Sequence, residues 1–240
     1  MSQFLDYKPP PFWVGGGLLG GANGVESTSA AAIPSRDSAT QTGDIEILII
    51  ETNGGQPGTT ATAGWSQVPF SPQNSTNSCL AVWWHRFTSG DALPTVDDSG
   101  DHQVAYMFPF RGCREEGVPW DTGAGAVDNV ADTTASIPGA TTTVDNCLVM
   151  AICSSGRDAN ATFINFDNWL NPDLAVIGGG QTNSVNARRW LSTFDRTSVA
   201  GAGGGFGFAL GYKFKAGAYA ATTVDLATSE TKGMISLALR

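Results

Sequence analysis

Charge and histidine are scarce in this chain: 15% of its 240 residues are Asp, Glu, Lys or Arg, and only two are histidine. The shortage of histidine constrains catalysis first. A serine or cysteine nucleophile needs a base beside it. The candidates are His85, inside an aromatic run next to Arg86, and His102, which follows Asp97, Asp98 and Asp101. No G-x-S-x-G elbow leads into a helix, so a triad is not expected, and His85 reads as a strand residue facing a sheet surface or an interface. Basic residues are outnumbered 13 to 22, giving a net charge of -9. That balance repels phosphate backbones and anionic membranes, so nucleic acid is not an expected partner. No run approaches the roughly 20 apolar residues of a membrane span, and Met1 to Lys8 lacks the basic and apolar regions of a secretory signal. A soluble protein made in the cytoplasm, without membrane insertion, is expected. The four cysteines, Cys79, Cys113, Cys147 and Cys153, show no close metal-ligand spacing and are expected as buried free thiols.

The carboxylates give no clear site either. Glycoside hydrolysis needs two held about 5 to 10 Å apart, but neighbours on a strand point to opposite faces, so neither Glu115-Glu116 nor Asp97-Asp98 makes such a pair alone. Both doublets read as solvated turn charges. Asp97, Asp98 and Asp101 lack the ligand spacing and terminal Glu of a helix-loop-helix calcium site. The Gly201 to Gly207 run is glycine-rich, yet an aromatic strand follows it where a dinucleotide site requires a helix. No cofactor and no metal are expected. Asn74-Ser75-Thr76 and Asn160-Ala161-Thr162 are glycosylation triplets that mean little without a secretory route.

What the chain has in quantity is glycine (30), proline (12) and short apolar runs, a mixture that favours strands and turns over helices. The clearest run is Gly43 to Thr52, an isoleucine-rich stretch with Asp44 as a turn residue and Glu46 at a solvent-facing or edge position. A strand led by Gly64-Trp65 follows it. Further strands are expected at Cys79 to Phe87, at His102 to Gly112 with Pro109 marking an edge or bulge, and at Val144 to Cys153. Others are expected at Asn186 to Phe194, Phe206 to Phe214, within Ala218 to Thr228 and at Met234 to Arg240. Glu115 to Thr143 reads as one weak strand and a surface excursion. The second half echoes the first, with Val144 to Cys153 repeating the Asp44 run and Asp167-Asn168-Trp169 standing where Ala63-Gly64-Trp65 stood. Two halves of about four strands each predict an all-β fold, an antiparallel two-sheet jelly-roll-like sandwich spanning 43–240.

Residues 1–42 differ from the rest. A stiff Pro9-Pro10-Pro11 segment ends in two aromatics and a glycine-rich stretch follows it. Phe4, Tyr7, Phe12, Trp13, Leu18 and Leu19 are more apolar than a solvated tail requires. This segment is expected to be an extended N-terminal arm that orders against a partner, with Ser27 to Thr42 as an edge strand or linker. Seven tryptophans also suggest sugar stacking, with Trp84 and Trp120 as candidate glycan contacts.

Five motifs together resemble a group of bacteriophage virion proteins over about residues 43–240. They are Gly43-Asp44 before an aliphatic strand, Gly64-Trp65, Val82-Trp83-Trp84-His85-Arg86, Phe110-Arg111-Gly112 and Thr142-Thr143-Val144-Asp145-Asn146-Cys147-Leu148-Val149. The resemblance implies a β-sandwich module of tail, fibre or capsid-surface proteins, with no catalytic residue to carry over. The expected function is therefore a non-enzymatic structural protein of the virion, a capsid decoration or a tail or fibre component assembled in the host cytoplasm. Its expected partners are other virion subunits, contacted through the arm, and further copies of itself, with a trimer suggested by the class. The alternative is a lectin-like module that binds glycans at the host surface.

Overall fold

A computed structural model describes residues 8–14, 24–27, 33–55, 58–60, 62–99, 102–156, 166–175, 193–197 and 204–240, with the backbone alone at 24–27 and 193–197. The first half of the chain supplies β1 (Phe12–Trp13), β2 (Gly24–Ser27), β3 (Ile45–Thr52), β4 (Ser66–Gln67), β5 (Gln73–Asn74), β6 (Cys79–Arg86) and β7 (Gln103–Arg111). The second half supplies β8 (Trp120–Ile137), β9 (Ala140–Thr142), β10 (Cys147–Ser155), β11 (Phe166–Leu170), β12 (Thr193–Thr197), β13 (Gly205–Lys213), β14 (Gly217–Tyr219) and β15 (Thr222–Leu239). No helix occurs among the described residues, and the chain forms an all-β antiparallel sandwich.

Each half of the chain builds one sheet. The first runs β1-β7-β3-β6-β4, with β2 also on β7 and β5 also on β6. The second runs β11-β15-β10-β13-β12, with β8 also on β15, while β9 and β14 form a small separate pair. In both, a central long strand is flanked by the next two long strands of the chain: β3 lies between β6 and β7, and β10 between β13 and β15, while the earlier β8 pairs with the far side of β15. The echo in the sequence is thus a repeat of connectivity. It extends to single residues, because Gly43 and Asn146 precede the two central strands with φ of 95° and 62°, and Gly64 and Asn168 precede the two tryptophans with φ of 88° and 51°. Glycine and asparagine are the residues that enter the left-handed region most cheaply.

Alternation along the long strands fills the space between the sheets. Ile45, Ile47 and Ile49 of β3 meet Leu148, Met150 and Ile152 of β10, with aromatic side chains from Tyr106, Phe108, Phe110, Phe206 and Phe208 packed around them. The opposite faces are buried too. Leu48, Ile50 and Met107 lie under Trp65 and Val96 outside the first sheet, and Val149, Ala151 and Ala209 lie under Trp169, Phe166 and Tyr219 outside the second. That is why β3 and β10 are buried at every position, and why their sequences read as continuous apolar runs. Trp65 and Trp169, matched in the sequence, do the same work on opposite outer faces.

Several expectations are corrected. Glu46 faces neither solvent nor a free edge: it is completely buried, and Arg36 Nε and Nη2 donate to its two oxygens at 2.5 and 3.1 Å. Asp44 is more than a turn residue, being buried and receiving Arg111 Nε and Nη2 at 2.8 Å each. The weak strand expected within Glu115 to Thr143 is β8, 18 residues long and paired along β15 with register shifts. Its glycine and alanine content disguised it. Small side chains are needed there, since a Cβ at Gly125 would lie 2.9 Å from Cβ of Phe70 in a crossing loop. The Trp65-led strand is only the two residues of β4. Of the strand expected at Asn186 to Phe194, residues 186–192 lie outside the described residues, and β12 begins at Thr193.

The described part of the arm belongs to the first sheet. Trp13 pairs with Phe110 on β7 as Trp120 pairs with Leu239 on β15, so β1 stands to the first sheet as the start of β8 stands to the second. Proline explains where β1 stops. Val14 N–H donates to Pro109 O at 2.9 Å, but the return bond of an antiparallel pair needs a donor that proline lacks.

Candidate functional site

Of the arm residues expected to contact a partner, Phe4, Tyr7, Leu18 and Leu19 lie outside the described residues. Phe12 is 42% exposed. Trp13, its neighbour on β1, points the other way: its ring makes edge contacts with Phe108 and Phe208 at 6.0 Å and closes one end of the core. Alternation within the two-residue strand leaves Phe12 available and commits Trp13 to its own domain.

The two candidate glycan tryptophans come together. Trp84 of β6 and Trp120 of β8 meet edge to face at 5.3 Å and 89°, packed against the core. Their contact bridges the two sheets at the end of the sandwich that also carries the arm.

Both histidines and several carboxylates are engaged in bonds that hold the fold. His85 stacks on Trp65 at 5.3 Å, with Nδ1 3.0 Å from Gly64 O and Nε2 2.8 Å from Asp91 Oδ2. The bond from His85 and a second from Thr88 N–H hold the Asp91 carboxyl below the usual range. At the opposite end of the sandwich Ser78 Oγ lies 3.0 Å from Glu51 Oε1 and 2.8 Å from Ser154 Oγ. His102 Nε2 accepts from Gly204 N–H at 2.9 Å and is 3.5 Å from Glu51 Oε2. In this arrangement the serine bonds the carboxylate, whereas base-activated catalysis requires it to bond the imidazole. All four thiols are buried and free. Burial pushes Cys79 up to about 11 and Cys113 and Cys147 up to about 12, and raises Cys153 as well, which makes them poor nucleophiles. Asp97 accepts from Thr59 Oγ1 at 2.8 Å, while Asp101 lies outside the described residues. Among the described residues no group of three His, Cys, Asp or Glu side chains could hold a metal ion.

The described residues also form an open cleft of about 650 Å³ where the arm crosses the end of the sandwich. Pro9 and Pro11 of the arm and Phe214 after β13 give it apolar walls. Four cationic side chains, Lys8, Arg114, Lys215 and Arg240, surround it together with Asp145 and Asn146. Asn146 Nδ2 donates to Lys8 O at 3.4 Å, which helps tie the arm to the turn before β10. No sequence pattern announces this cluster, because its members come from five separate segments of the chain and share no motif.

No family model, curated protein or solved structure matches the chain. Function must therefore be argued from the geometry itself.

Proposed function

We propose that this chain is a non-enzymatic structural subunit of a bacteriophage particle, a capsid decoration or a tail or fibre component, joined to its neighbours through the N-terminal arm. The observation that carries this reading is the way the arm is held. It adds β1 and β2 to the outer edge of β7 within its own chain, and the same strand-addition geometry is a general means of joining one chain to another. Phe12, exposed beside Trp13, gives the arm an outward apolar contact. The engagement of both histidines and of the buried carboxylates in bonds that hold the fold supports a scaffold role. Self-association, with three copies as the starting expectation, follows from the same reading. The test is to express the full chain with Phe12→Ser, which removes the outward contact and leaves Trp13 in place. Weaker self-association in sedimentation and weaker incorporation into particles are expected, with an unchanged melting temperature. Normal incorporation of this variant would overturn the arm's role.

A further inference from the structure

The cleft under the arm concentrates cations in a chain that has few. Two of the four are neutralised locally. Lys215 Nζ lies 2.8 Å from Asp145 Oδ2, and Arg240 Nη1 lies 3.5 Å from Asp121 Oδ1. Asp145 is further occupied by Ala216 N–H at 2.7 Å. Lys8 and Arg114 are exposed, and among the described residues neither head group has a carboxylate partner. Two cations without a carboxylate partner among the described residues therefore line a concave space whose size suits a small ligand, where the backbone N–H of Arg114 donates to Arg240 O at 2.5 Å and the ring of Phe214 is stacked on that of Tyr212 at 5.6 Å.

We propose that this cleft binds a small acidic sugar. Arg114 and Lys8 take its carboxylate or phosphate in charge-assisted hydrogen bonds. Phe214 and the exposed Pro9 pack against the apolar face of the ring. Asn146 Oδ1 accepts from a ring hydroxyl. This goes beyond a scaffold role and does not depend on where the chain is installed. It also has a mechanical consequence: Lys8 and Pro9 belong to the arm, so a ligand that needs them stabilises the docked arm by mass action.

The experiment is titration calorimetry on the full chain with glucuronate, glucose 6-phosphate, glucose, inorganic phosphate and a hexaglutamate peptide, at low and high salt. Saturable, salt-sensitive binding of the two acidic sugars is expected, with glucose and phosphate each weaker by about tenfold or more. Arg114→Ala and Lys8→Ala, both at exposed positions, should each weaken acidic-sugar binding about tenfold without moving the melting temperature, and Arg114→Lys should recover part of the loss. Limited proteolysis at the arm should slow when glucuronate is present. Glucose binding as tightly as glucuronate, or wild-type affinity in both alanine variants, would overturn the proposal. So would phosphate as tight as the acidic sugars, which would reduce the site to a charge contact, or hexaglutamate outcompeting them, which would assign it to an acidic protein segment.

Discussion

Glu46 has no exposed surface, and a single guanidinium, that of Arg36, meets both its oxygens. Arg36→Ala leaves a buried carboxylate without its partner, which typically costs about 3–5 kcal/mol. Adding Glu46→Gln should restore part of that loss, so the denaturation midpoint of the double variant should exceed that of Arg36→Ala alone. A double-variant midpoint no higher than that of Arg36→Ala alone would contradict an unpaired buried carboxylate as the source of the loss. The left-handed positions make a second pair of expectations. Gly64→Ala should cost about 1–2 kcal/mol from the backbone alone, with the His85 ring 3.1 Å from the new Cβ adding to it. Asn168→Gly keeps the same backbone, gives up a 2.8 Å bond to Asp225, and should cost about 1 kcal/mol or less. Both are readable from chemical denaturation.

At the scale of strands, β8 and β15 are held together by more than their ladder. Lys232 is completely buried, with Nζ donating to Asp132 and to Thr134 O and lying 3.1 Å from Asp128 Oδ2. The bond from Lys232 and a second from Thr134 N–H hold the Asp132 carboxyl below its ordinary range. A carboxyl depressed in the folded state adds stability above its unfolded value of about 3.9, and that stability is lost as pH falls through the lower folded value. Lys232→Met should therefore lower stability at neutral pH by only about 1 kcal/mol or less through Asp132, whose side chain is 47% exposed and screened by water. It should also flatten the decline in stability below about pH 4, measured as melting temperature against pH. Trp13→Ala removes a ring that sits between Phe108 and Phe208. It should cost about 2–4 kcal/mol and make the arm easier to cleave, because β1 has only two residues of ladder to hold it.

Strands whose two faces are both buried were legible in the sequence, since a central strand such as β3 or β10 reads as a nearly continuous apolar run, broken in β3 by Glu46 and by Glu51-Thr52 at its end. β8 was legible only as one weak strand, and its length was not: its pairing comes from a register imposed by β15, and its small residues answer to a loop that crosses it. Glu46 and Asp44 were misread for a related reason. Their cations, Arg36 and Arg111, arrive from 10 and 67 positions away, and no local pattern announces such partners. The cleft is the extreme case, assembled wholly from distant connections.

The whole molecule is two sheets of like connectivity laid face to face, with the arm strands placed on one as the start of β8 is placed on the other. This accounts for the division of roles along the arm, with Trp13 holding it down and Phe12 facing outward. A scaffold built this way should be rigid, and its four thiols should resist a thiol reagent until the chain unfolds. The central claim is that the chain is a stoichiometric part of a phage particle. Quantitative mass spectrometry of gradient-purified particles, combined with gold-labelled antibody in electron microscopy, tests it most directly. A fixed copy number per particle at a regular position on the capsid, tail or fibre is expected, reduced by Phe12→Ser. Presence of the chain in infected-cell lysate but not in purified particles would overturn the proposal.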